Sequence, residues 1–198
     1  MIKELVLATG NKGKIVEFQR LLEGESIEIH SMKEFDNIGE IIENGTTFAE
    51  NALIKARTVA KATGKPALAD DSGLMVDALD GAPGIYSARF AGDGHDDEAN
   101  NDKLLKMLED VPDEKRTAQY FCAIAIVLPN GEEHVVEGAC KGRILRECQG
   151  TGGFGYDPMF YVEQFGKTFA EVPMDEKNKI SHRGIANRKA IEVLKTLK

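Results

Sequence analysis

Apolar positions along the chain recur at two spacings, and the change from one to the other lays out a series of strands and helices. Glu4-Leu-Val-Leu-Ala-Thr9 is a short β-rich run that reads as a buried strand. After Gly10-Asn-Lys-Gly-Lys14 the spacing turns helical, with Ile15, Phe18, Leu21 and Leu22 on one face. Residues 27–30 read as a second short strand, with His30 at its surface or edge. Leu53, Ala56, Val59 and Ala60 stripe a helix that opens at Thr47-Phe-Ala-Glu50. That opening fits a capping box, in which the Thr47 hydroxyl and the Glu50 carboxylate close the first turn reciprocally. Gly64 at the C-cap and Pro66 beyond it stop the helix at about Thr63. A short apolar run from Ala67 reads as the next strand, ending in Asp70 and Asp71 where Gly73 makes a stop plausible, and the apolar pattern resumes over 75–79. Gly81-Ala-Pro-Gly84 is a loop, and a helix covers residues 99–109. Residues 118–128 are strongly β-like, Pro129-Asn-Gly131 is a turn, and residues 133–144 return, which predicts an antiparallel hairpin. Its long apolar content suggests a central place in the sheet. A last helix runs to Leu197 with Ile191, Leu194 and Leu197 on its buried side. No Pro/Ser/Gly-rich linker divides the 198 residues, so a single domain over 1–198 is expected.

Composition narrows the function classes. The apolar fraction of 42% suits a globular protein. No apolar run approaches the ~20 residues of a membrane span, and Met1-Ile-Lys-Glu4 enters a strand pattern without the apolar stretch of a signal peptide. A cytoplasmic location without membrane partners is the expectation. The formal net charge is −8 and the pI near 5.1. A duplex-binding surface is normally basic, so polymeric nucleic acid is not an expected partner. A phosphorylated small molecule still suits an acidic chain if local cations and a metal do the binding. Cys122, Cys140 and Cys148 are odd in number and form no C-x-x-C, which argues against disulfides and zinc and for small buried hydrophobes kept reduced.

The chemistry centres on Ala67-Leu-Ala-Asp-Asp-Ser-Gly-Leu74, where a core strand runs into two adjacent carboxylates. Either this is a turn rich in Asp, Ser and Gly, or it is a site for a hard cation such as Mg²⁺. Neighbours on an extended strand face opposite ways, so both aspartates reach one metal only if the strand ends there; otherwise one is ligand or base and the other supports it. Glu43, just ahead of the helix at Thr47, could lean toward the same carboxylates. Asn51 and Lys55 lie four apart on one helix face, either solvated or supporting that cluster. Residues 9–14 join a strand to a helix through glycines, a junction suited to an anion because free N–H groups and the helix dipole point at it, with Lys12 and Lys14 adding charge. Ala8 and Ile15 stand where a Walker A loop needs glycine and a hydroxyl. His95-Asp-Asp-Glu98 looks like a ligand set but precedes a helix whose dipole its carboxylates complement. Gly150-Thr-Gly-Gly-Phe-Gly155 contains a formal G-x-G-x-x-G, yet no strand precedes it and no helix follows. It reads instead as a loop presenting Phe154, Tyr156 and Asp157 for stacking on a base, or as a turn with Phe154 in the core. Lys177, His182 and Arg183 gather donors near a helix start, or form a solvated basic patch.

Thr9-Gly-Asn-Lys-Gly-Lys14, Ala69-Asp-Asp-Ser-Gly-Leu74, Ala82-Pro-Gly-Ile-Tyr-Ser-Ala-Arg89, Thr151-Gly-Gly-Phe-Gly-Tyr-Asp-Pro158 and Ile180-Ser-His-Arg-Gly184 occur in that order. Together they resemble the inosine/xanthosine triphosphate pyrophosphatase family, over nearly the whole chain. The resemblance implies an α/β fold: a long mixed sheet with flanking helices, in two lobes around a central cleft. It implies a homodimer. It implies Mg²⁺-dependent hydrolysis of ITP, dITP and XTP to the monophosphate and pyrophosphate, with a nucleotide hydrolase of other base specificity as the alternative. Thr9, Gly10, Asn11, Lys12, Gly13 and Lys14 would hold the triphosphate. Glu43 and Asp71 would bind the metal, Asp71 would serve as general base, and Asp70, Asn51 and Lys55 would support them. Ser72 would contact substrate, while Phe154, Gly155, Tyr156, Asp157, Lys177, His182 and Arg183 would hold base and sugar.

Overall fold

The computed structural model describes residues 2–197; Met1, named above with the N-terminal strand pattern, lies outside them. Strands β1 (Glu4–Leu7), β2 (Glu28–Ser31) and β3 (Ala67–Val76) alternate with helices α1 (Lys12–Leu21) and α2 (Phe48–Thr63). Helix α3 (Asp97–Met107), the β4 (Thr117–Val127) and β5 (Glu133–Ile144) hairpin, β6 (Phe160–Val162), β7 (Lys167–Thr168), α4 (Met174–Ile180) and α5 (His182–Thr196) follow. The strands form one seven-stranded sheet in the order β2-β1-β3-β4-β5-β6-β7. β1 is parallel to both β2 and β3, whereas β6 is antiparallel to β5 and β7, so the sheet is mixed. The hairpin strand β4 is central in that order, as its apolar content predicts.

The chain clusters into two compact units. The first holds the segment up to Asp71, Ala123–Glu137 and the segment from Ala186; the second holds Ser72–Cys122 and Gly138–Ile185. The first unit's core is small-residue packing of α2 on sheet: Ala52, Ala56, Val59 and Ala60 against Val6, Ala67, Ala69, Ala125 and Val127. Ala52 takes the stripe position expected of Leu53, which packs at its margin. The second core is bulkier, with Tyr120, Tyr156, Phe160 and Phe169 beside Leu104 and Leu108. Burying one such aromatic or leucine side chain contributes about 1.5–3 kcal/mol.

Local signals behave as their chemistry requires. Gly64 takes the left-handed cap, with φ of +66°, that ends α2. The capping box is only half formed: Thr47 Oγ1 accepts from Glu50 N at 3.1 Å, but the Glu50 carboxylate turns mainly to Thr46, taking its N–H at 2.6 Å and its hydroxyl at 2.8 Å. The residues 95–98 act as a helix start, with Asp96 accepting from Ala99 N at 3.0 Å. Cys122 and Cys140 are buried as expected, and burial pushes the Cys140 thiol up to about 11. Cys148 departs from that expectation and is exposed. No helix among the described residues is long and apolar enough to cross a membrane.

Candidate active site

Strand β3 does not end at the two aspartates; it runs on through them to Val76. Their side chains therefore alternate, and each finds its own lysine. Asp70 is buried, at 8% exposure, and both its oxygens accept from Lys14 Nζ, at 2.8 and 2.7 Å. Asp71 lies 3.9 Å from Lys55 Nζ, and the same ammonium is 2.9 Å from Glu43 Oε1. One cation thus already sits against both carboxylates expected to bind metal. Asn51 is buried, not solvated: its Oδ1 accepts from Gly45 N at 2.8 Å and its side chain hydrogen-bonds Asp71. Burial pushes the Asp71 carboxyl up, partly opposed by Lys55 and the Asn51 bond. Glu43 and Asp71 supply hard carboxylate oxygens that a cation already bridges, a donor pair of the kind that suits Mg²⁺.

The strand-to-helix junction of residues 9–14 is tighter than the sequence suggests. Lys12, Gly13 and Lys14 are the first turn of α1, with Asn11 as its cap. The Asn11 side chain accepts from Gly13 N at 2.9 Å and Lys14 N at 3.3 Å, and Asn11 N donates to Thr9 Oγ1 at 3.1 Å. The expectation of open N–H groups is corrected for those two amides: the cap takes them, while the helix dipole and the exposed Lys12 remain.

The second unit assembles the other set. Phe154, at 51% exposure, stands open on its glycine loop and not in the core. Behind it Lys177 and Asp157 form an ion pair at 2.5 Å, with 4% and 1% exposure. Asp157 also accepts from Phe154 N at 3.0 Å. The Lys177 ammonium lies 4.7 Å from the Phe154 ring centroid and the Arg183 guanidinium 5.6 Å from it. Arg183 Nη2 donates to Ser72 Oγ at 3.4 Å. His182 and Arg183 open α5, and His182 is buried against Tyr120. Burial of Lys177 and His182 overturns the solvated-patch alternative. Gly155 N donates to Asp97 Oδ2 at 2.7 Å. Tyr156, expected to help hold base and sugar, is buried, and its hydroxyl donates to Ser87 O at 2.7 Å, which pins the loop to the core.

With both sets placed, comparison with known proteins decides the relationship. The family model described as the Ham1 family matches residues 5–193. The chain belongs to the Ham1 family. A dITP/XTP pyrophosphatase of Desulforamulus reducens is 57% identical over 194 residues, covering 98% of this chain and 96% of the relative. A dITP/XTP pyrophosphatase of Listeria monocytogenes is 51% identical over 185 residues, covering 93% and 91%. The solved structure of a HAM1 protein from Coxiella burnetii superposes with a TM-score of 0.94 at 45% identity, over 100% of both chains.

Several features of this Ham1 chain escape sequence reading. Tyr120 lies in a β-run and reads as core, yet its ring is 4.7 Å from that of His182 and nearly parallel, at 11°. Arg116 is buried, donating to Ile144 O at 2.8 Å, Leu108 O at 2.5 Å and Leu145 O at 2.9 Å. Gly153 has φ of +73°, and a side chain there would collide with the Asp157 carboxylate. Its place in the T-G-G-F-G run signals a special backbone, but not which group approaches it. Glu4, Glu28 and His30 also converge on the β1–β2 edge. Glu4 pairs locally with Lys65, and the His30 ring nitrogens face Glu28 and Glu34.

Proposed function

We propose that this chain hydrolyses non-canonical purine nucleoside triphosphates (ITP, dITP and XTP) to the nucleoside monophosphate and pyrophosphate, with Mg²⁺, in the cytoplasm and as a homodimer. Relatives named dITP/XTP pyrophosphatase support the reaction and the substrate class. The observation that carries the base-reading half is the buried Lys177–Asp157 pair behind the open Phe154 ring. A buried ion pair adds little stability, because desolvation offsets most of the attraction. Its position behind an exposed aromatic is accounted for by recognition: the ring stacks on a base while fixed donors and an acceptor meet the base edge.

In this reading Thr9, Gly10, Asn11, Lys12, Gly13 and Lys14 take the phosphate chain at the start of α1. Glu43 and Asp71 would hold the metal, with the Lys55 ammonium beside them. Mg²⁺, when bound, screens the polyanion and polarises the attacking water. Asp71 accepts that water's proton, the oxygen attacks the α-phosphorus, and the α–β bridge breaks so that pyrophosphate leaves. Asp70 holds Lys14 in place, while Asn51 and Lys55 orient Asp71 and Glu43. On the second unit Ser72 and Arg183 act together, Phe154 stacks, and Gly155, Asp157, Lys177 and His182 complete the base site, with Tyr156 as anchor. Arg183 and His182 donate to a 6-oxo oxygen. Adenine presents an amino group there, leaving donors facing donors, and such a mismatch can discriminate by up to ~10⁴-fold.

The test is pyrophosphate release from ITP, XTP, dITP and ATP with Mg²⁺. ITP, dITP and XTP are each expected to turn over faster than ATP; preference for ATP would favour the alternative of another base specificity. Asp71→Asn should lower kcat by at least ~10²-fold with an unchanged circular dichroism spectrum. Unchanged turnover would remove Asp71 from the reaction. Sedimentation analysis tests the dimer.

A further inference from the structure

Tyr120 joins residues of the base-reading set that lie far apart in sequence. It projects from β4 and is buried. One ring face lies parallel to the His182 imidazole at 4.7 Å, while Phe160 at 4.6 Å and Phe169 at 6.1 Å surround the rest. Its hydroxyl lies beside the Asp157 carboxylate and the Tyr156 backbone N–H. The same Asp157 receives Lys177 Nζ at 2.5 Å and Phe154 N at 3.0 Å.

Packing alone does not require this hydroxyl. A phenylalanine would fill the same space among Phe160 and Phe169, without a polar atom to satisfy. Burial, and then the Asp157 charge, push the phenol pKa well above its ordinary value, so it stays a donor at any working pH. A neutral donor that cannot ionise is a fixed tether for a carboxylate. The ring, meanwhile, gives His182 a flat backing, which sets the imidazole plane.

We propose that Tyr120 is a specificity-determining positioning residue: its hydroxyl orients Asp157 and its ring face orients His182, so that both address the base at a fixed angle. This rests on the oxo-purine reading above. Without the hydroxyl, Asp157 keeps Lys177 and its own loop amide but loses the polar neighbour that reaches it from β4. The carboxylate can then rotate with its lysine, and the edge it offers the base is no longer set. Without the ring, His182 loses its plane as well.

Tyr120→Phe keeps the stack and deletes the tether. The ratio of kcat/KM for the best oxo-purine substrate over ATP should fall about 10-fold, the scale of one buried hydrogen bond to a charged group. The change should appear in KM, with kcat within about 2-fold of wild type. Tyr120→Leu removes the ring too, and should lower the ratio further and shift the His182 ring-proton resonances, which Tyr120→Phe should leave in place because the ring current persists. A lower melting temperature in Tyr120→Phe with KM and the substrate ratio unchanged would make the residue a packing element and overturn the proposal. If the wild type prefers a different nucleotide, the oxo-purine reading fails by itself. The positioning claim is then judged on the ratio of that nucleotide over its poorest competitor: a fall in Tyr120→Phe supports it, and no change overturns it.

Discussion

Asp70 and Asp71 are chemically identical and adjacent, yet their surroundings give them different work. Both Asp70 oxygens accept from Lys14, whereas Asp71 shares the Lys55 ammonium with Glu43 and takes an Asn51 bond. The doublet was plain in the sequence; the division between its members depends on strand parity and on which lysine each face meets, which local composition does not encode. The same holds for the aromatic loop. Phe154 and Tyr156 are two apart, and both read as ring donors to a site, but only Phe154 is open, because the Tyr156 hydroxyl is bonded to Ser87 O. Phe154→Ala should weaken the binding of inosine monophosphate by about 1–3 kcal/mol if the ring stacks on the base. Titration calorimetry measures this directly, and an unchanged affinity would remove Phe154 from the site.

Elements with punctuation at both ends were readable. The α2 helix starts one residue after Thr47 and stops at Gly64, and the return strand of the hairpin has the expected span of Glu133–Ile144. Elements defined by what they pack against were less so. Gly73 suggested that β3 stops at the aspartates, but the strand's hydrogen bonding carries it through to Val76. Arg116 gave no signal at all: a charged residue before a strand reads as surface, and its three carbonyl partners come from the C-terminal end of α3 and from the end of β5 and the residue after it. Arg116→Met should destabilise the second unit by about 3 kcal/mol, since it strands buried acceptors that each cost about 1–3 kcal/mol to leave unmet. A urea titration checks this; a midpoint equal to wild type would show that water replaces the guanidinium freely.

For the whole chain, motif order carried the reading further than composition did. A net charge of −8 argues only against polymeric nucleic acid, whereas five ordered motifs point to one family, and the match over residues 5–193 bears that out. The division into two compact units was not readable from linkers, because each unit is assembled from separate stretches of chain. If a metal held by Glu43 and Asp71 serves chemistry and not folding, chelation with EDTA should abolish pyrophosphate release while leaving the thermal midpoint within a few degrees, since neither hydrophobic core includes those two residues. A collapse of the fold on chelation would make the metal structural. Finally, the alternation of Asp70 and Asp71 along an unbroken strand limits how this gene can change length. One extra codon between Ala67 and Asp70 would turn each carboxylate to the opposite side of the sheet, away from its own lysine and toward the side that now serves its neighbour. Two extra residues would restore the faces but carry both carboxylates about 7 Å along the strand, past their lysines.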